Sequence, residues 1–597
     1  MVHGKWPHDE RRDRYILGVV LVFLGLLVVR LFMLQIVGSE RYRILSDDNR
    51  IEAVPLEAPR GSIFDRNGEV IADSHPTYQI VILPSRRDVM VRTVRELGML
   101  LHTDVTPVER EILDRKINGQ QPIRIKRGAT FAEISLVEEH RDELPGVEIQ
   151  IETKRSYPSG MLACHVLGYV GEMTQEEVPK FSPQGYLYGQ MIGRKGVEVR
   201  YEKFLKGVNG VEYLEVNALG RRVGSFPEKL EKPRPGTTLW LTIDRRLQEV
   251  AEQVFPDSLA GGLVALDPYN GEILALVSRP GFDPNVFVDG LSHTMWEKIR
   301  GAENDPLINR VVQSAYPPGS TLKMVTAIAG LESGIIDPHM SPFGACTGAM
   351  AFGNRSYRCW REGGHGSLSM SEAIAQSCDI FFYQLGRRVG LASWSRYAGL
   401  LGFGKKTGID LDSEAAGLLP TSQYYNRRYG ERRWTSGVML NLSIGQGEAL
   451  TTPIQMVRYI AAIGTGGYLC QPHLLLKADG YPSEDTPLVR IDGLSPVTWS
   501  AMKHSLLAAV EHGTGRQAQI RSIRVAGKTG TAQNPHGDDH AWFVGFAPYE
   551  QPKIAVAAIV ENAGHGGSVA APIVRKVIEA YLKEIWRPEH PSIVWNR

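Results

Sequence analysis

Three short motifs in a fixed order constrain this chain more than any other feature. Ser320-Thr321-Leu322-Lys323 comes first, Ser377-Cys378-Asp379 second and Lys528-Thr529-Gly530-Thr531 third. For them to act together, a helix start, a loop and a strand far apart in the chain must meet in one cleft. Tyr316-Pro317-Pro318-Gly319 is a breaker run that stops any preceding element and lets a helix begin at Ser320. Leu322, Met324, Val325, Ile328, Ala329 and Leu331 are spaced for a buried helix that ends at Ser333-Gly334. Positions i and i+3 share a helix face, which sets Lys323 beside the Ser320 hydroxyl. A serine hydroxyl is a poor nucleophile until a neighbouring base takes its proton. Lysine is such a base only when neutral, a form that a buried site favours. The trio therefore points to serine acyl transfer.

Each motif has a decoy or a blander reading. Average composition yields Ser-x-x-Lys about twice in a chain of this length. Ser500-Ala501-Met502-Lys503 is such a copy, early in an amphipathic helix with Leu506, Leu507 and Val510, and no further motif follows it in order. Lys406-Thr407-Gly408 repeats the third motif and reads as a turn into a short strand, Ile409-Asp410-Leu411. Lys528-Thr529-Gly530-Thr531 instead continues a β-like run from Ile523. A strand edge there offers a lysine and two hydroxyls to a substrate carboxylate, with Gly530 letting the substrate backbone approach. Ser377-Cys378-Asp379 lies between a helical run, Met370 to Gln376, and an apolar helix with Ile380, Phe381, Phe382 and Leu385. Alone it would be read as a helix cap.

With these motifs in place, the chain resembles a class B penicillin-binding protein of the cell-elongation type, over nearly its whole length. Pro59-Arg60-Gly61-Ser62-Ile63-Phe64-Asp65-Arg66-Asn67-Gly68 is similar to the family's first sequence box. Arg155-Ser156-Tyr157-Pro158, His165-Val166-Leu167-Gly168-Tyr169, Gly193-Arg194-Lys195-Gly196-Val197-Glu198, Ser443-Ile444-Gly445-Gln446-Gly447, Thr452-Pro453-Ile454-Gln455 and His540-Ala541-Trp542-Phe543-Val544-Gly545 also match the family pattern. The resemblance implies a peptidoglycan D,D-transpeptidase. Ser320 would attack the penultimate D-alanine carbonyl of a stem pentapeptide and release the last D-alanine. Lys323 would be the general base, and Ser377 would relay a proton to the leaving amine. Lys528, Thr529 and Thr531 would hold the terminal carboxylate. The backbone amides of Ser320 and Thr531 would form the oxyanion hole. An amine from a neighbouring stem peptide then completes the crosslink, with residual carboxypeptidase activity where water takes its place, and β-lactams acylate Ser320. The general motif has Asn at the position of Asp379, whereas the elongation type resembles this chain in carrying Asp. A carboxylate there either pairs with Lys323, favouring its charged form, or pairs with Lys528, or titrates with the cluster as one unit. The chemistry needs no cofactor. Implied partners are the membrane, a SEDS-type (RodA-like) glycan polymerase and an MreC-like periplasmic scaffold.

Composition supports a multidomain globular protein. The 597 residues are 43% hydrophobic and 22% charged with net charge +1, which excludes a disordered chain and argues against nucleic-acid binding. Tyr15 to Val37 is apolar and long enough to span a bilayer, with Arg30 near its outer end placed to snorkel to the headgroups or to face a partner. No small-residue cleavage site follows it, so it reads as an uncleaved anchor. Lys5, Arg11, Arg12 and Arg14 before the span are nearly matched by Arg41, Arg43 and Arg50 after it. Orientation therefore rests on the resemblance, with the N-terminus cytoplasmic and the body periplasmic on a single-pass inner-membrane protein. The expected fold is α+β: a tail (1–14), a transmembrane helix (15–37), an elongated non-catalytic pedestal (38–235) and a transpeptidase domain (236–597). Glu231-Lys232-Pro233-Arg234-Pro235-Gly236 reads as the linker, and Gly262–Asp267 with Gly271–Val277 as a β-hairpin in an antiparallel sheet flanked by helices.

Five cysteines are an odd number for an oxidising compartment. Cys346, Cys359 and Cys378 bracket His365 in the segment between the first two motifs, and three thiolates with an imidazole would complete a tetrahedral structural zinc site that anchors the loop of Ser377 and Asp379. The alternative is a Cys346–Cys359 disulfide with Cys378 buried. Cys164 and Cys470 read as small buried side chains. Rival functions are a serine β-lactamase, a β-lactam-acylated membrane sensor, a bifunctional class A enzyme and the division-type relative. The first lacks a need for anchor and pedestal, and the second would show signalling segments. The third would show a glycosyltransferase motif, and the fourth usually carries Asn at position 379.

Overall fold

The computed structural model describes residues 10–37, 51–114, 122–174, 176–186, 189–216, 222–288, 290–291, 293–340, 342–431, 433–482, 486–535 and 537–586. Lys5, Arg41, Arg43 and Arg50, used above for orientation, lie outside them, as do most of the tail and the first residues of the expected pedestal. The described residues form two compact units.

The first unit takes its residues from 1–58, 76–153 and 208–234. Its N-terminal helix α1 (Glu10–Phe32) continues as a wider turn over Met33–Val37. Tyr15–Ile36 has a mean hydropathy of 2.8 and is long enough to cross a bilayer. Strand Ile51–Leu56 pairs antiparallel with Gly210–Val216, which pairs in turn with Arg222–Ser225. Two small cores support the rest: Ile80, Leu97, Val137 and Val147 in one, and Ile82, Met90, Val94, Ile112 and Ile123 in the other. The stretch that reads as a linker is paired, with Glu231 bridged to Val211 and Arg234 to Val208.

The second unit comprises 59–75, 154–207 and 235–597. At its centre an antiparallel sheet is flanked by helices. Helix α2 (Arg245–Val254) leads into β1 (Gly261–Leu266) and β2 (Ile273–Arg279), the expected hairpin. Helices α3 (Lys323–Glu332), α4 (Asp379–Leu400), α5 (Pro453–Thr465) and α6 (Pro496–Glu511) follow. Strands β3 (Ala526–Ala532), β4 (His540–Ala547) and β5 (Ile554–Val560) and helix α7 (Ala570–Ala580) complete it. The strand order is β2-β1-β5-β4-β3, so β3 is an edge. Alternation decides the two faces. Leu263, Ala265, Phe543, Val556 and Ala558 pack with α2 and α7, while Val264, Leu266, Val544, Ala557 and Ile559 pack with α3 to α6. Leu239–Leu241 belongs to a separate sheet, antiparallel to Leu475–Ala478 and parallel to Ile63–Phe64.

A buried ion network ties the family's early boxes together within this unit. Glu198, with no exposed surface, accepts Arg155 Nε at 2.6 Å and Arg60 Nη2 at 2.7 Å, and Tyr157 donates its hydroxyl at 3.1 Å. Glu202 accepts a second bond from Arg60 at 2.7 Å. Burial disfavours the Glu198 carboxylate, but Arg155 and Arg60 outweigh it and hold its pKa below the ordinary value.

The short strand expected at Ile409-Asp410-Leu411 is absent; these residues form a loop. The Asp410 carboxylate accepts the backbone N–H groups of Leu474 and Leu475 and the Tyr201 hydroxyl, so contacts distant in the chain override the local β pattern.

Candidate active site

Ser320 lies in a single turn, Gly319–Leu322, that runs directly into α3, with the Lys323 N–H donating to the Ser320 carbonyl. Gly319 has φ of +56°, in the left-handed region that glycine adopts without strain. The turn leaves no room for a side chain there: a Cβ would stand 2.5 Å from the Thr531 carbonyl oxygen. The first motif is thereby pressed onto the third.

The second motif is a corner between two helices. Helix Met370–Ala375 starts with a capping box from Ser369 and Glu372. It ends as Ser377 takes φ of +54°, while the Cys378 N–H donates to Ala373 O at 2.9 Å. Asp379 then opens α4, where a carboxylate suits the positive end of the helix. Cys378 turns inward with no exposed surface, so its neighbours face the cleft.

Lys323 joins the two motifs. Its fully buried Nζ donates to Asp379 Oδ1 at 2.7 Å, Ser377 O at 2.8 Å and Ser377 Oγ at 3.2 Å. Asp379 is therefore paired with Lys323 and not with Lys528. Trp360, which carried no signal in the sequence, donates its backbone N–H to the other Asp379 oxygen at 3.2 Å and its indole N–H to Gln376 O at 3.1 Å.

Lys528 leaves β3 on the same face as Ala526 and Ala532, toward the helices that carry Ser320 and Lys323. Its Nζ reaches Thr529 O at 3.1 Å and the hydroxyls of Thr529 and Thr514 at 3.4 Å. Among the described residues no carboxylate lies within ion-pairing distance of it. Burial, and then the charge of Lys323, hold its pKa well below the ordinary 10.5. Thr514, unnoticed in the sequence, shares a 2.8 Å hydroxyl–hydroxyl bond with Thr529. The space that Gly530 leaves is taken by the turn that carries Ser320: a Cβ there would meet Pro318 O and Thr321 Cγ2 at 2.9 Å. The decoys lie elsewhere in the chemistry. Lys503 is near the surface and donates to Glu550 O, and Thr407 donates from both its N–H and its hydroxyl to Glu414.

Cys346, Cys359, His365 and Cys378 converge, with their ligand atoms all within 4.8 Å of one another. His365 Nδ1 lies 3.7 Å from Cys346 Sγ and 3.5 Å from Cys359 Sγ. All five cysteines are free thiols, and Cys164 and Cys470 are buried singly as expected. A hydrogen bond between Cys378 and Cys359 holds the Cys359 thiol below its ordinary value and pushes Cys378 above it.

A buried lysine between two serine-bearing motifs, set against the edge of a five-stranded sheet, defines a serine acyl-transfer enzyme. Residues 261–579 match the family model described as the penicillin-binding protein transpeptidase domain, and residues 55–241 match the penicillin-binding protein dimerisation domain. The chain belongs to the penicillin-binding proteins. It is 34% identical over 588 residues to the peptidoglycan D,D-transpeptidase MrdA of Acinetobacter baumannii, covering 95% of this chain and 87% of that protein. To the MrdA of Escherichia coli K12 it is 32% identical, covering 94% and 92%. A solved complex of penicillin-binding protein 2 with MreC from Helicobacter pylori superposes with a TM-score of 0.77 at 28% identity, covering 89% of this chain and 99% of that one. A structure on the coordination of polymerization and crosslinking by a peptidoglycan synthase complex gives 0.72 at 32%, covering 96% and 98%. These relatives place the chain with the class B, elongation-type members.

Proposed function

We infer that this protein is a peptidoglycan D,D-transpeptidase of the elongation type, working through an acyl-enzyme on Ser320. The observation that carries the site assignment is the Lys323 amine, one turn beyond Ser320 and bonded to both Ser377 and Asp379. In the proposed reaction Lys323 acts as the neutral amine, and Ser320 Oγ adds to the penultimate D-alanine carbonyl as its proton passes to that amine. The tetrahedral oxyanion sits between the N–H groups of Ser320 and Thr531. Collapse breaks the peptide bond, Ser377 relays a proton to the departing D-alanine amine, and an acyl ester remains. A neighbouring stem-peptide amine then attacks the ester, forms the crosslink and returns the proton to Ser320. Lys528, a buried amine without a carboxylate of its own, faces the substrate's terminal carboxylate, whose arrival would favour the charged form of the lysine, with Thr529 and Thr531 beside it. β-Lactams enter as mimics of that terminus.

Residues 38–235 serve as a non-catalytic pedestal and 236–597 as the transpeptidase domain in this reading. The helix at 15–37 anchors a single-pass inner-membrane protein with its N-terminus cytoplasmic and its catalytic domain periplasmic. A SEDS-type polymerase and an MreC-like scaffold are its partners; the similar Helicobacter pylori complex contains MreC, and the similar peptidoglycan synthase complex coordinates polymerization with crosslinking. Cys346, Cys359, His365 and Cys378 hold a structural zinc ion that stiffens the loop of Ser377 and Asp379. The spacing of the thiols about the imidazole suits tetrahedral sulfur–nitrogen ligation.

The test is intact mass after incubation with a penicillin. The wild type is expected to gain one stable adduct that Ser320→Ala lacks. An adduct that persists in Ser320→Ala would refute the assignment. Native mass of the same sample is expected to show one zinc ion, absent from Cys359→Ser; a metal-free wild type purified without chelator would refute the zinc site.

A further inference from the structure

Strand β3 is bonded in the sheet to β4 alone, so one side of its backbone faces out from the edge. In an extended strand the N–H and C=O of one residue point to the same side, and successive residues alternate. The Thr531 carbonyl accepts a hydrogen bond from Gln446 Nε2 at 3.1 Å, and Gln446 is outside the sheet. Both backbone groups of Thr531 therefore point outward. The nucleophile's turn arrives on that side, since a Cβ on Gly319 would stand 2.5 Å from Thr531 O and 3.2 Å from Thr531 N. The loop that carries Gln446 also grips this turn. The Gly319 N–H donates to Gly445 O at 2.9 Å, and a Cβ on Gly445 would stand 2.0 Å from Gly319 O. The run Ser443-Ile444-Gly445-Gln446-Gly447 thus touches the backbone immediately before Ser320 through Gly445 and the Thr531 backbone through Gln446.

We propose that Gln446 is a positioning residue for the oxyanion hole. Its side-chain amide fixes the direction of the Thr531 carbonyl, and with it the direction of the Thr531 N–H toward the reacting oxygen. The same bond occupies a carbonyl lone pair that would otherwise lie free beside a developing negative charge. The proposal rests on the reading of the Ser320 and Thr531 amides as the oxyanion donors. Gln446 itself touches no reacting atom, so its effect runs through the strand edge.

The experiment uses the full chain in detergent and compares wild type with Gln446→Met, which keeps the length and loses the donor. A penicillin is titrated and the adduct followed by intact mass, separating non-covalent affinity, first-order acylation and the fraction of molecules that react. A peptidyl boronic acid is measured alongside, because it becomes tetrahedral on Ser320 and places a hydroxyl where the oxyanion forms. Gln446→Met is expected to acylate about 10- to 100-fold more slowly, less than the roughly 10²- to 10³-fold cost of deleting an oxyanion donor itself. Boronic acid affinity should fall by a similar factor while penicillin affinity changes little. An unchanged acylation constant, a loss confined to the reacting fraction, or an unchanged boronic acid affinity overturns the proposal. Should Gln446→Met not fold, Gln446→Glu takes its place. Its acylation relative to wild type must recover as the pH falls and the side chain gains a proton to donate, and a ratio independent of pH overturns the proposal. A wild type that forms no adduct on Ser320 overturns the active-site reading and this proposal with it; a normal wild type with an unaffected Gln446→Met overturns this proposal alone.

Discussion

The second unit holds two clusters of buried charge. In one, Arg60 and Arg155 meet Glu198 and Glu202, two cations against two anions joined by bonds of 2.6–2.7 Å. In the other there are two lysines, Lys323 and Lys528, and one carboxylate, Asp379, which bonds Lys323 alone of the two. The first balances its charge and links segments of chain far apart in sequence. The second leaves the buried Lys528 amine without a carboxylate of its own, and an arriving anion would favour its charged form. An ion pair closed on itself reads as structure, and one left open reads as a binding site.

Four changes break or sharpen this contrast. Lys323→Met should slow acylation by penicillin about 10²- to 10⁴-fold, the range for loss of a general base, with melting temperature as the control for folding. An acylation rate within a few-fold of wild type would mean that Lys323 is not the base. Glu198→Gln should leave two buried guanidiniums short of a partner and cost roughly 3–5 kcal/mol in denaturant unfolding. The molecules that remain folded should acylate normally. Because the Glu198 pKa is depressed in the folded state, its stabilisation is present above the ordinary carboxyl value of 4.5. It fades as the pH falls through the lower folded value. Unfolding midpoints that ignore pH in that acid window would contradict the balanced-pair reading.

Lys528→Met should separate the two clusters in sign. The folded pKa of Lys528 lies below 10.5, so between these values the unfolded state binds the extra proton and stability rises with pH. Removing this lysine should therefore raise the melting temperature modestly at pH 7, with the gain shrinking toward pH 10.5, while acylation collapses. A fall in melting temperature at pH 7 would show that the open cluster stabilises the fold after all. The smallest effect belongs to Lys503→Ala, from the decoy motif and in neither cluster. It should change stability by less than about 0.5 kcal/mol and leave acylation unaltered.

Much of the site was legible before the fold. Ser320 lies in a turn that runs into α3, and Ser377 and Asp379 stand at a corner between two helices, because a cap, a turn and the start of a helix depend on neighbours in the chain. The convergence of Cys346, Cys359, His365 and Cys378 was legible too, from the spacing of three cysteines about one histidine. Other features were not. Arg60, Arg155 and Glu198 stood in the sequence only as parts of matching boxes, with no hint that they bond one another. Trp360 and Thr514 carried no pattern. Gly530 looked like room for a substrate and is filled by Pro318 and Thr321. The β pattern at Ile409-Asp410-Leu411 gave way to the bonds that Asp410 makes with Leu474, Leu475 and Tyr201.

By itself the sequence determined the chemistry on offer: a serine one turn from a lysine, a second serine at a helix corner, a lysine–threonine strand and an apolar helix long enough to span a bilayer. Each follows from residues within a turn or two of one another, where backbone geometry fixes neighbours. Only the tertiary structure decided which lysine Asp379 serves, which charges are closed and which open, and what holds the Thr531 edge. Those outcomes depend on burial and on pairing between segments far apart in the chain, and no local pattern encodes them.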